Sequence, residues 1–213
     1  MTERLQKIFS SIPNAKVFAD IGCDHGYIAK AMLESGKCEK VIVSDISEKC
    51  LNKARELLSE NIANGSAESV VSDGFDRVFG VDVALIAGMG GEEICNILQK
   101  AQKLPEKLVL QPMKNPEKVR TLCLKLGFLI EKDSLFKSAG KFYDLIVAKK
   151  GQGTLTEEEI EFGKDNVNNP NEDFKEKLTI EINKINNYLR AENISDKTKQ
   201  ELTARLEKYK KYV

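Results

Sequence analysis

Short apolar runs alternate with longer stretches of helical spacing through the first part of this 213-residue chain. The runs are KVFAD (16–20), KVIVSD (40–45), VDVALIAG (81–88) and KLVLQP (107–112), with a weaker one, ESVVSD, at 68–73. Between them, residues 27–35, 47–63, 92–103 and 116–126 space their apolar side chains as helices do. Short β-branched runs separated by helices predict parallel strands joined by right-handed crossovers, hence a doubly wound α/β sheet.

The rhythm breaks at GFLIEKDSLFKSAGKFYDLIVAKKG (127–151), which reads as two extended segments joined by SAGK with no helix between them. A hairpin there makes the final strand antiparallel to its neighbour. A mostly parallel seven-stranded sheet with a C-terminal antiparallel hairpin strand is the pattern of Rossmann-like class I methyltransferase domains, and it differs from that of dehydrogenases.

After Gly153 the composition turns to Glu, Lys and Asn. Leu178, Ile182, Ile185 and Leu189 fall at helical spacing, and Leu202, Leu206, Tyr209 and Val213 repeat it. Two amphipathic helices joined by AENISD (191–196) predict an α-helical, coiled-coil-like hairpin. NVNNPN (166–171) is expected to break any helix that begins at Thr156. The expected division is a Rossmann-like domain over 1–153 and a helical domain over 154–213. The tail either packs or dimerises without a ligand role, or it grips substrate.

No run is long and apolar enough for a membrane span, and residues 1–13 lack a secretory pattern, so a soluble, cytoplasmic protein is expected. The five cysteines form no CxxC pair and His25 is the single histidine, which predicts reduced thiols and no metal site. Formal charge sums to zero, but residues 107–150 carry 10 basic and 4 acidic groups within a chain that is otherwise net acidic. Such a segment suits phosphate binding or an ordinary solvated surface equally well.

The first turn, DIGCDHGY (20–27), sets two acids and two glycines behind a strand. Gly22 admits backbone conformations barred to other residues, and Gly26 is expected to let the following helix start close to the sheet. A dinucleotide fingerprint needs glycine where Asp24 stands, because a carboxylate there repels a pyrophosphate. Asp24 instead suits a ligand that presents an ammonium group, such as the amino-acid end of S-adenosylmethionine, and Asp20 can orient the same end. A ligand-free turn is the competing reading.

Asp45, followed by Ile46 at the end of the second run, stands where an acid accepts a ribose diol in nucleotide-binding α/β domains. Asp73 and Gly74, after the third, stand where a carboxylate takes an adenine amino group, although Asp-Gly is also a common turn. Four acids behind three successive strands make one shared ligand the economical reading. AGMGGEE (87–93) is a side-chain-poor bend in which Gly88, Met89 and Gly90 let a base approach the backbone. Gln111 and Pro112 close the fifth run, with Gln111 offering a donor and an acceptor. The Pro-Pro-aromatic tetrapeptide typical of N6-adenine methylation is missing from the sequence.

Together DIGCDHGY, SDIS, SDGF, AGMGGEE and LQPMKNPEKVR, followed by GFLIEKD and a helical tail, resemble the TrmK family of bacterial tRNA methyltransferases across nearly the whole chain. That resemblance implies S-adenosylmethionine as cofactor and N1 of adenosine 22 in tRNA as the methylated atom. It assigns Asp20, Gly22 and Asp24 to the methionine end, Asp45 to the ribose, and Asp73 with Gly74 to the adenine. His25, Gly26, Ile46 and Gly88 complete the expected cofactor set. The target base would be bordered by Gly88, Met89, Gly90, Gln111 and Pro112. The chain departs from the pattern at Met113, where Asn is expected, and at Thr121, where an aromatic commonly follows the arginine.

His25 and Tyr27 are further candidates at the catalytic end: His25 contacts substrate or takes a proton, or else caps the turn, and Tyr27 stacks on the base or packs. Cys23 reads as a small buried filler. Lys114, Lys118, Arg120, Lys137 and Lys141 are the expected RNA contacts. The alternatives are a methyltransferase for another RNA or a small molecule, and a noncatalytic RNA-binding protein that keeps the cofactor fold.

Overall fold

The computed structural model describes residues 1–190 and 194–213, and residues 191–193 of the expected AENISD linker lie outside that description. Strands β1 (Val17–Ile21), β2 (Lys40–Asp45), β3 (Ala67–Val71), β4 (Val83–Ala87) and β5 (Lys107–Gln111) pair in parallel, as the alternating pattern requires. β6 (Phe128–Ser138) and β7 (Lys141–Lys150) form the hairpin, and β7 inserts between β5 and β6, antiparallel to both. The sheet order is β3-β2-β1-β4-β5-β7-β6. β6 therefore runs in the same direction as β5. The hairpin tip at Ala139 and Gly140 projects from the edge that carries the carboxyl ends of the parallel strands.

Both faces of the sheet are covered, which explains why its strands read as unbroken apolar runs. Phe18, Val41, Val43 and Leu85 point to one face, where they meet Ile8 of α1 (Glu3–Ser11), Met32 of α2 (Tyr27–Glu34) and Leu51 of α3 (Glu48–Leu57). Ala19, Ile42, Ala84 and Ile86 point to the other, against Ile94 and Leu98 of α5 (Gly91–Lys100) and Val119 and Cys123 of α6 (Pro116–Lys125). The expected single helix over 47–63 is divided at Leu58 into α3 and α4 (Ser59–Ala63), with Leu58 buried between them. α1 was not anticipated. Its polar majority hides the one fully buried residue, Ile8, that ties it to the core.

The tail folds as α7 (Glu157–Phe162), α8 (Lys164–Asn168), α9 (Glu172–Leu189) and α10 (Asp196–Lys210). The break after Thr156 comes earlier than NVNNPN, at Gly163, whose φ of +94° is readily reached only by glycine. Asn166 stays helical because its buried amide donates to the Phe162 carbonyl at 2.7 Å and its carbonyl accepts from the Leu135 amide at 3.0 Å. α9 and α10 share a third apolar cluster with Phe162 and with Leu135 of β6, so the helical hairpin rests on the strand hairpin. No helix among the described residues is long and apolar enough to cross a membrane.

Arg120 corrects one expectation. It is completely buried, so it cannot meet an RNA phosphate. Its guanidinium donates to Asp133 at 2.7 and 2.9 Å, to Asp144 at 2.6 Å, and to the carbonyls of Ile160 and Glu161 at 3.1 and 3.3 Å. Burial alone would pull its pKa down, but the two carboxylates outweigh that and hold it charged. Arg120 thus fastens α6, the strand hairpin and α7 together.

Candidate active site

Parallel strands bring their carboxyl ends to one edge, and the loops that follow β1, β2, β3 and β4 line a groove there made of two adjoining cavities. One part, about 480 Å³, is bordered by Asp20, Asp24, His25, Tyr27, Gly88 and Arg4. The other, about 290 Å³, is bordered by Asp45, Ile46, Asp73, Gly74 and Lys100. Gly22 and Met89 line both.

The turn after β1 is clamped to β2, since the amides of Gly22 and Cys23 both donate to the Ser44 carbonyl, at 2.7 and 2.9 Å. Gly22 has φ +74°, a backbone conformation that favours glycine, and a Cβ there would displace the flexible end of the Met89 side chain. Gly26 also has φ +74°, but its close neighbour is Ala54 of α3, 3.2 Å from a notional Cβ, rather than the sheet.

The acids differ in charge environment. Burial pushes the Asp20 carboxyl up to about 6, against a lowering hydrogen bond from the Cys23 thiol. Asp24 is exposed and ionised: the hydrogen bond from Lys53 at 2.8 Å holds it below the usual carboxylate range, with His25 Nδ1 at 2.7 Å. One Asp45 oxygen accepts from the Ser47 amide at 2.7 Å, which orients the carboxylate and leaves the other oxygen open. Asp73 lies 3.2 Å from Lys100 Nζ. Lys53 and Lys100 escaped the sequence reading because helical lysines carry no mark of which acid they face.

The glycine bend after β4 is laced to the loop after β5. Gly88 N donates to Gln111 O at 3.1 Å, Met113 N to Met89 O at 2.8 Å, and Gly91 N to Lys114 O at 2.9 Å. A Cβ on Gly91 would stand 2.5 Å from Asn115 O and 2.6 Å from Lys114 O. Gln111 and Pro112 need correction as base-contacting residues, because both are buried. The Gln111 amide donates to Pro112 O at 3.0 Å, and its carbonyl oxygen accepts from Arg4 Nε and Nη2 at 2.9 and 2.5 Å. Gln111 therefore positions Arg4. Nothing in the spacing of residues 107 apart signals that bond.

At the mouth, the rings of His25 and Tyr27 stack with centroids 5.3 Å apart and an interplanar angle of 8°. Both residues are exposed. Lys114 and Lys141 are exposed and make no side-chain hydrogen bond or ion pair among the described residues, whereas Lys118 pairs with Glu92 and Lys137 with Glu176. Lys107 pairs with Glu131 at the opposite edge, where Lys149 and Lys150 also lie, so the basic segment is divided between two ends of the sheet.

A family described as methyltransferase domain matches residues 1–146. The tRNA (adenine(22)-N(1))-methyltransferase of Bacillus subtilis is 30% identical over 156 residues, 71% of this chain and 66% of that one. The crystal structure of the B. subtilis m1A22 tRNA methyltransferase TrmK superposes with a TM-score of 0.84 at 26% identity, covering 100% of this chain and 98% of that one. M. capricolum TrmK, in complex with S-adenosyl-homocysteine, gives 0.88 at 25% identity, covering 100% and 97%. The seven-stranded sheet, the acid-lined groove and a likeness that extends through the helical tail agree with that match: this chain belongs to the TrmK family of tRNA methyltransferases.

Proposed function

We propose that this chain methylates N1 of adenosine 22 in tRNA, using S-adenosylmethionine. The carrying observation is the groove itself, in which an acidic end, a carboxylate at the second strand and another past the third line two adjoining cavities that share Gly22 and Met89. That donor set fits the cofactor: Asp20 and Asp24 suit its ammonium, Asp45 its ribose diol, and Asp73 with Gly74 its adenine. His25, Gly26, Ile46 and Gly88 border the same space. Bound there, S-adenosylmethionine supplies an electrophilic methyl group whose departure leaves a neutral thioether.

The chain's own task is positioning. The bend at Gly88, Met89 and Gly90, held by the loop after β5, forms a fixed floor on which a base can approach. Tyr27, stacked on His25, offers an exposed ring face to an unstacked adenine, which the enzyme must first expose at about a few kcal/mol. Asp24 occupies His25 Nδ1 and leaves Nε2 free to meet substrate or accept a proton. Adenine N1 is largely unprotonated at neutral pH, so attack needs no strong base.

Lys114, beside the bend, and Lys141, at the hairpin tip, lie at the groove's edge of the sheet and are the best-placed phosphate contacts. Lys118 and Lys137 reach RNA by exchanging Glu92 and Glu176 for phosphates. We read residues 1–153 as the cofactor-binding domain and 154–213 as a helical domain, whose apolar cluster also takes in Leu135 and Phe142 of the strand hairpin. A tRNA substrate supports a cytoplasmic location.

The test is methyl transfer from labelled S-adenosylmethionine to unmodified tRNA, with digestion and mass spectrometry. The expected product is N1-methyladenosine that disappears when adenosine 22 is replaced by guanosine. Methylation of another nucleoside, or of no tRNA, refutes the reading.

A further inference from the structure

Burial of Gln111 and Pro112 leaves Met113 as the first exposed side chain of the loop after β5, and it is 45% exposed. A single exposed methionine needs no explanation by itself, but such a side chain ordinarily changes rotamer freely, and this one is held at both ends. Its amide donates to Met89 O at 2.8 Å, and the next carbonyl, that of Lys114, accepts from Gly91 N at 2.9 Å. Asn115 then takes φ +53°, a left-handed conformation uncommon outside glycine, which its contacts on either side impose. At the side-chain end, Met113 Sδ accepts from Nε2 of buried Gln111 at 3.6 Å. The same Gln111 amide also donates to Pro112 O, and its carbonyl oxygen accepts from Arg4, so Gln111 is itself fixed. Met113 is thus an anchored apolar side chain that faces solvent at the rim of the Gly88–Gly90 bend. A methionine that only filled the loop would be covered.

We infer that Met113 packs against the ring of the target adenine once the base has left its stack, with buried Gln111 as its positioning residue. A thioether suits that task, because it packs on an aromatic ring and requires no hydrogen bond from it. Adjacent side chains then meet different parts of the RNA, Met113 the base and Lys114 the phosphate backbone. This inference rests on the adenosine 22 reading above.

Filter binding of two tRNAs to the whole chain tests it, one with adenosine 22 and one with an abasic nucleotide at that position, both with S-adenosylhomocysteine present. Met113→Ala should weaken binding of the first by about two- to tenfold, the usual worth of a sulfur–aromatic contact, and leave the second unchanged. Met113→Leu restores the apolar bulk and should keep most of the wild-type affinity. Affinity for S-adenosylhomocysteine should be the same in both variants as in the wild type. Equal weakening of both tRNAs by Met113→Ala overturns the inference and leaves Met113 a part of the loop's own structure. Unchanged binding of both tRNAs overturns it as well. Absence of N1-methyladenosine at position 22 after reaction with the wild-type chain refutes the adenosine 22 reading itself, before any variant is made.

Discussion

Replacing Asp20 with Asn separates what this residue costs the fold from what it gives the site. The folded pKa of about 6 stands above the ordinary value of 3.8, so the folded chain holds the Asp20 proton more tightly than the unfolded chain does. Its contribution to stability is therefore present at low pH and is lost as pH rises between those values, the reverse of a salt-bridged aspartate. Fully ionised, the carboxylate costs the fold about 3 kcal/mol, at roughly 1.4 kcal/mol for each pH decade between the two values. Asparagine keeps the shape and never ionises. The stability difference between Asp20→Asn and wild type should therefore move in the variant's favour by about 1.4 kcal/mol between about pH 5 and about pH 7.5. Any fixed cost of the exchange, such as an altered bond to the Cys23 thiol, cancels in that comparison. Urea unfolding followed by circular dichroism at the two pH values measures it. Affinity for S-adenosylhomocysteine should fall in the same variant, because an ammonium loses its buried counter-charge. A stability difference that is flat with pH, or that shrinks towards neutrality, would refute the reasoning.

Arg120→Met leaves Asp133 and Asp144 buried without their partner and should cost about 3–5 kcal/mol in urea unfolding, with a loss below about 1 kcal/mol contradicting the network. Gly91→Ala sets a methyl group against two backbone carbonyls and should pry apart the loops after β4 and β5. Methyl transfer should fall far more than cofactor affinity, as single-turnover kinetics beside calorimetry would show. Lys114→Ala and Lys141→Ala should each weaken tRNA binding and reduce its dependence on log salt by about one charge, measured by filter binding across a salt series. Cofactor affinity should stay unchanged in both.

Much of the site was legible because its parts are local. Asp45 orients itself through Ser47, two residues on, and Gly22 declares by type alone a backbone that others avoid. Arg120 was misread for the opposite reason. Within its helix it looks like a solvated cation, and its carboxylates arrive 13 and 24 residues later on strands that only the finished hairpin sets side by side. Gln111 was placed correctly at its strand end but given the wrong task, since burial depends on the neighbours β4 and β7 and not on residues adjacent in sequence.

The sequence by itself determined the alternation of the five parallel strands with the helices between them, the closing hairpin, and the acids and glycines that end the strands. These follow from periodicity and turn chemistry, which act over a few residues. Tertiary structure alone decided which polar groups face one another: Arg4 with Gln111, Lys53 with Asp24, Lys100 with Asp73 and Arg120 with its two aspartates. Such pairs form through space between elements brought together by burial of their apolar faces, and no spacing along the chain encodes them.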